Sequence, residues 1–194
     1  MQPVITPRIA TLDRASLRCL AHPLRVRLLS ALRVHGPATA SGLAQRLGTN
    51  SGATSYHLRQ LADVGLIVED EGRGTARERW WRAAHEMTSW TETDFLSDPD
   101  DRAAADWLVG HHVRTKTRWL EDWLEQRHEW STDWRAAADS SDLQVEVTPA
   151  QLRALNDELH SVVDRYRRAG PDDDGDAQKV MVLLDTFPHP EPRV

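Results

Sequence analysis

Seven side chains within eleven positions could carry out surface hydrogen-bonding chemistry. Asn50, Ser51, Ser55, Tyr56, His57, Arg59 and Gln60 supply hydroxyl, amide and imidazole groups with one cation among them. On a helix advancing about 100° per residue, Ser51, Ser55, Tyr56, Arg59 and Asp63 share one face, with His57 and Gln60 on its shoulder. Thr54, Leu58, Leu61 and Gly65 fall on the opposite face, which must be buried. A plain solvent face would favour Glu and Lys, because Ser, Thr, Asn and Tyr are mediocre helix formers. Short polar groups near a helix N-terminus are what reaches base edges in a DNA major groove. Alone, the pattern suits an ordinary helical corner equally well.

The other reactive side chains point to no comparable chemistry. Nine histidines and thirty carboxylates invite a metal reading, but metal sites need ligands that converge. His111 and His112 are adjacent, so on a helix they diverge by about 100°, and His85 with Glu86, and His160, have no evident third ligand. The acidic run Asp172 to Asp176 lacks the spacing of a calcium loop. No metal and no cofactor is therefore expected. No Gly-x-Ser-x-Gly elbow, P-loop or Gly-x-Gly-x-x-Gly occurs, and Cys19 lies on the apolar side of a helix, so no enzyme is expected.

The elements that must position these residues follow from periodicity. Ala40, Leu43, Ala44 and Leu47 form one face of a short helix that Gly48 stops, and Asn50 or Ser51 then caps the next one. Leu66 to Asp70 is a β-branched run, Glu71-Gly72-Arg73-Gly74-Thr75 a turn, and Arg77 to Arg82 a returning strand, together a β-hairpin. Arg73 at its tip is suited to a charge role, while Arg77 and Arg79 suit phosphate contact or strand solubility alike. Upstream, Leu17, Leu20, Ala21, Leu24, Leu28, Leu29 and Leu32 give two helices near 13–21 and 23–35, broken at Pro23 and ended by Gly36-Pro37.

Leu20-Ala21-His22-Pro23-Leu24-Arg25-Val26-Arg27-Leu28-Leu29, Leu43-Ala44, Ser55-Tyr56-His57-Leu58-Arg59-Gln60-Leu61, Gly65-Leu66-Ile67 and the Gly-Arg hairpin together resemble the winged helix-turn-helix of ArsR-type bacterial transcriptional repressors. The resemblance covers about residues 12 to 84. It implies a homodimer on double-stranded DNA, with Asn50, Ser51, Ser55, Tyr56, His57, Arg59 and Gln60 on the recognition helix and Arg73 and Arg77 on the wing. His57 suits packing or phosphate contact at least as well as base reading.

Charge is segregated along the chain. Residues 1–85 hold twelve arginines and no lysine against six carboxylates, whereas residues 86–194 hold twelve basic against twenty-four acidic groups, for a net charge of −6. A basic first half beside an acidic remainder fits one part meeting phosphates and the other avoiding them. The chain opens without a basic n-region or long apolar run, and no run of about 18 apolar residues occurs, so export and membrane insertion are not expected and the cytoplasm is. The single cysteine suits a reducing compartment.

Five segments are expected: a loose arm over 1–11, the winged helix over 12–84, a connection over 85–100, a C-terminal dimerisation or effector domain over 101–187, and a mobile tail over 188–194. From Asp101 to Ala138 the pattern is helical, and Trp119, Trp123, Trp130 and Trp134 would form one stripe, spread over about 60°. That stripe fits a core, a dimer interface or the wall of an aromatic ligand pocket. Leu143 to Val147 alternates as a strand, Thr148-Pro149 opens a helix through Arg168, and Lys179 to Leu184 reads as a second strand. The fold class is thus mainly α with small β, an N-terminal winged helix-turn-helix followed by a long helix and a small strand-helix-strand domain. The function expected is a sequence-specific DNA-binding repressor, homodimeric on a palindromic operator, with the first helix and the tryptophan helix as surfaces to bury. A small-molecule-responsive regulator with an unidentified effector, or a winged-helix protein-interaction module, are the alternatives.

Overall fold

The computed structural model describes residues 9–73, 78–172 and 175–189. It divides into two compact units, one over Thr6–Thr115 and the other including Lys116–Val194. Arg77, expected on the returning strand, lies outside the described residues, as do the first eight residues and the last five.

In the first unit each helix begins where a side chain satisfies its unpaired N–H groups. After β1 (Ile9–Thr11), α1 (Arg14–Leu20) starts with Asp13 and Ser16 in a reciprocal capping box, a stabilising arrangement for orphan donors. His22 caps α2 (Pro23–His35), its Nδ1 accepting from the Leu24 N–H at 3.2 Å. Then come β2 (Ala38–Thr39) and α3 (Ala40–Leu47), capped by Thr39. Gly48 ends α3 at φ 62°, a left-handed conformation that a side chain would strain. Asn50 Oδ1 accepts from the Ala53 N–H at 2.7 Å and opens α4 (Ser51–Asp63). The hairpin follows as β3 (Ile67–Glu69) and β4 (Trp80–Ala83), antiparallel with Val68 opposite Arg82. β2 pairs antiparallel with the other edge of β4, giving sheet order β2-β4-β3. β5 (Met87–Ser89) pairs parallel with β1, a ladder of two three-residue strands too short to show alternation in sequence. A 3₁₀ turn at Glu92–Phe95 leads into α5 (Pro99–Gln126).

One leucine-rich core holds this unit. Leu17, Leu28, Leu43, Leu58, Leu61, Leu66, Ile67 and Leu108 are fully buried in it, and Ala104 and Ala105 bring the first turns of α5 into the same cluster. The apolar side of α1, expected as a surface for a second subunit, is spent here: Leu17 and Leu20 are 0% and 4% exposed.

The start of α5 is fixed to α1 by charge. Asp101, fully buried, accepts from Arg18 Nε at 2.5 Å and pairs with Arg14 Nε at 3.3 Å. Asp98 caps the helix, Oδ1 accepting from the N–H groups of Asp101 and Asp100, which holds its carboxyl below the usual range with help from Arg18.

The second unit departs from expectation in two places. α5 stops at Gln126, a 3₁₀ turn covers Arg127–Glu129, Trp130 is extended, and α6 (Thr132–Ala137) restarts. The four tryptophans therefore do not share one helix. The cause is Ser131, which caps α6 by accepting from the Trp134 N–H at 3.3 Å; Ser-Thr-Asp is a helix-start signature inside an otherwise helical pattern. The segments 143–147 and 179–184, expected as strands, enter no ladder. Most of their apolar residues stand out in solvent, Leu143 at 87% and Val180 at 68% exposure, while Leu183 and Leu184 are half-buried, and no partner strand rewards the extended backbone. α7 (Pro149–Ala169) forms with a Thr148/Gln151 capping box and Pro149 in its first turn. Lys116 reaches the Leu184 carbonyl at 3.2 Å and the Asp185 carboxylate, and Thr186 donates to Asn156. Among the described residues of this unit none is buried. No helix among the described residues is long and apolar enough to cross a membrane.

The Asp101 clamp is testable by denaturation. Asp101→Ala should lower stability by about 2 kcal/mol, less than the ~3–5 kcal/mol for breaking an enclosed pair, because both arginines already reach water. Asp106→Ala, on the exposed side of the same helix, should change it by less than about 0.5 kcal/mol. Urea titration of both variants checks this.

Candidate nucleic-acid interface

The burial of Thr54, Leu58 and Leu61, each 0% exposed, fixes which way α4 faces. Ser51 and Arg59 are exposed, Ser55 is half-buried, and Tyr56 stands out at 56% exposure. Ser51, Ser55 and Arg59 form one wall of an open groove of about 670 Å³; Glu69, Glu78 and Arg79 of the hairpin line it too, with Thr39, Ser41 and Trp81. α4 and the hairpin thus contribute jointly to one concave surface.

Arg79 is the groove residue whose role sequence reasoning left open. Its guanidinium lies 5.6 Å from the Trp81 ring centroid and its Nε is 3.1 Å from Glu69. The signal was present: in a strand, residues 79 and 81 share a face. Ser41 was missed, because it belongs to α3 and enters the groove only by donating to Glu78 Oε1 at 3.1 Å. Arg73 sits on the turn after β3, exposed, with Nε 3.5 Å from Asp70.

The remaining candidates are engaged elsewhere. The Asn50 side-chain oxygen is occupied by the α4 cap. Gln60 donates weakly to Asp63 at 3.4 Å, and its backbone carbonyl accepts from the Cys19 thiol. That thiol is buried, and burial pushes its pKa up, the condition of an unreactive cysteine. His57 is half-buried, its ring 4.4 Å from that of His22 and edge-on to Tyr56. Its Nδ1 is buried without a hydrogen-bond partner. Desolvation lowers the pKa of both histidines; the nearby charge of Arg25 adds to this for both, and His22 adds to it for His57. Among the described residues no group of three or more His, Cys, Asp or Glu could hold a metal ion.

Trp119 and Trp130 are 42% and 38% exposed, and Trp123 and Trp134 half-buried. Trp130 packs against both Trp123 and Trp134, with ring centroids 6.4 and 6.0 Å apart. This is a cluster at a helix break, open to solvent, rather than a closed core.

Comparison with known proteins bears on the first unit. Residues 20–70 match a family described as a helix-turn-helix domain. The HTH-type transcriptional regulator NmtR of Mycobacterium tuberculosis is 39% identical over 56 residues, which is 29% of this chain and 46% of that regulator. The chain thus spans less than half the length of that relative. Among solved structures, reduced HlyU from Vibrio cholerae shares 21% identity over 48% of this chain and 81% of its own, with a TM-score of 0.32. A homodimeric winged helix-turn-helix DNA-binding domain from Mycobacterium bovis shares 19% over 60% and 84%, with a TM-score of 0.33.

The lowered pKa values of the histidine pair should make stability depend on pH. His22 accepts the Leu24 N–H at Nδ1, so its one ring proton is on Nε2 and a second would have to displace the α2 cap. Folded pKa values below the unfolded ~6.5 mean that the unfolded chain takes up protons first, so stability is full above that pH and falls as pH drops toward the folded values. His22→Asn, which can still cap, should reduce the loss seen between about pH 7.5 and pH 5. Urea midpoints at the two pH values, unchanged in their difference by this variant, would remove the pair as the source.

Proposed function

The N-terminal part of the chain is a winged helix-turn-helix domain similar to that of ArsR-type regulators, and from that premise we propose that the protein is a sequence-specific DNA-binding transcriptional regulator. The observation that carries this is the outward face of α4. Ser51, Ser55, Tyr56 and Arg59 stand opposite three fully buried residues, beside a groove that the hairpin shares. In this reading Ser51, Ser55 and Tyr56 approach base edges, Arg59 meets a guanine or a phosphate, and Arg73 and Arg79 meet the backbone. The N-terminus of α4 adds a partial positive charge toward phosphate. His57, turned against His22, orients the helix rather than reading bases.

The working form is a homodimer on a palindromic operator, acting as a repressor. A single winged helix covers one half-site, so two-fold operator symmetry follows from two-fold protein symmetry. The surface available for self-association is on α5, where Val109 and Val113 are 42% and 56% exposed, and Leu120 and Leu124 are 48% and 54% exposed. Apolar side chains repeated along one helix in this way mark a contact surface. Sedimentation equilibrium at micromolar concentration should give about twice the 22.0 kDa chain mass; a 22 kDa species with and without DNA would exclude the dimer.

DNA affinity should fall steeply with salt, on random duplex as well as on operator. Tyr56→Ala should cost about 1–3 kcal/mol of operator preference while leaving random-duplex affinity nearly unchanged. Arg73→Ala should weaken both duplexes alike and reduce the salt slope by about one unit. Fluorescence anisotropy on an operator selected from a random library, at two salt concentrations, separates the two roles. Equal losses on both duplexes for Tyr56→Ala would remove α4 as the reader, and no duplex binding at low salt would leave a protein-interaction module instead.

A further inference from the structure

The second unit contains an open depression, a shallow hollow, that the DNA-binding reading does not use. It has a volume of about 240 Å³ and lies where α5 ends and α6 ends, lined by Trp123, Arg127, Arg135 and Asp139 among others. Trp123 packs against Trp130, which packs in turn against Trp134, and the break at Trp130 lets the ends of the two helices line one space. Arg127 and Arg135 both line it, and neither has an ion-pair partner among the described residues. Two unpaired guanidinium groups together are unexpected in a half of the chain with twice as many acidic as basic residues.

We propose that this hollow, walled by Trp123 and flanked by Arg127 and Arg135, binds a small aromatic monocarboxylate. The arginine forks match a carboxylate in geometry and charge, and the indole offers a flat apolar face to a ring. At about 240 Å³ the depression is below the ~300–1,000 Å³ of sites for drug-sized ligands, which suits contact with one ring or a fused pair. Asp139 is also on the lining; its carboxylate accepts from Ser141 at 2.7 Å and disfavours a second acidic group on the ligand.

The site is tested on the full chain without DNA, so its failure and that of the DNA-binding reading are separable. Isothermal titration calorimetry with benzoate and with indole-3-acetate should give saturable binding, one per chain, with Kd below about 1 mM. Acetate, benzyl alcohol and phthalate should each bind at least about tenfold more weakly, because each lacks the ring, lacks the charge or carries one charge too many. Arg127→Gln and Arg135→Gln, both at exposed positions, should each weaken binding about tenfold or more with unchanged circular dichroism. Trp123→Leu should weaken the aromatic acids selectively. Absence of saturable binding by either aromatic acid, acetate or inorganic phosphate binding as tightly as benzoate, or wild-type affinity in both arginine variants would each overturn the proposal.

Discussion

The structure of the first unit depends on the burial of one face of α4. Thr54, Leu58 and Leu61 are each 0% exposed, and a helix with three positions fixed in a core has no freedom to rotate. Each fully buried leucine contributes on the order of 2 kcal/mol, and turning the helix by one residue would place polar Ser55 and Arg59 nearer that core. Packing thereby converts a linear sequence into a directed surface. The same core receives Leu28 from α2, Leu43 from α3, Leu66 and Ile67 from the hairpin and Leu108 from α5. The groove beside α4 is consequently set by side chains that never reach it.

The charges along that groove are balanced. Arg79 is held between Glu69 and the face of Trp81, and Ser41 binds Glu78, while Arg73 pairs with Asp70 on the turn. Exposed pairs of this kind are worth little to stability, so they keep the arginines extended at little cost to exchange. In the proposed DNA-binding role, carboxylates among the basic groups would oppose indiscriminate attraction to phosphate, the repulsive element that specificity requires.

The two units differ in what holds them. In the first, a buried carboxylate, Asp101, draws Arg14 and Arg18 of α1 onto the start of α5. In the second, no described residue is buried, and the order visible there comes from helix caps, the tryptophan cluster and a few polar ties such as Lys116 to Leu184. Surface burial of so small a degree leaves α5 and α7 with apolar side chains to cover, Leu124 and Tyr166 among them. Folding of this unit should therefore couple to whatever covers it.

The sequence by itself determined the four short helices, the hairpin and the outward face of α4, because those depend on local periodicity and on caps such as Asp13, Asn50 and Gly48 that act within a few residues. It also determined the capped start of α7 at Thr148-Pro149. Tertiary structure decided the rest, wherever a residue's role depends on a partner far along the chain. His57 turns toward His22, Ser41 reaches Glu78, and Asp101 is enclosed by α1; none of these distances is written in spacing. The two expected strands beyond residue 140 failed for the same reason, since a strand is stabilised by a neighbour and alternation alone supplies none. The tryptophan stripe broke because one local cap, Ser131, outweighed a longer helical pattern whose apolar face had no core to reward its continuation.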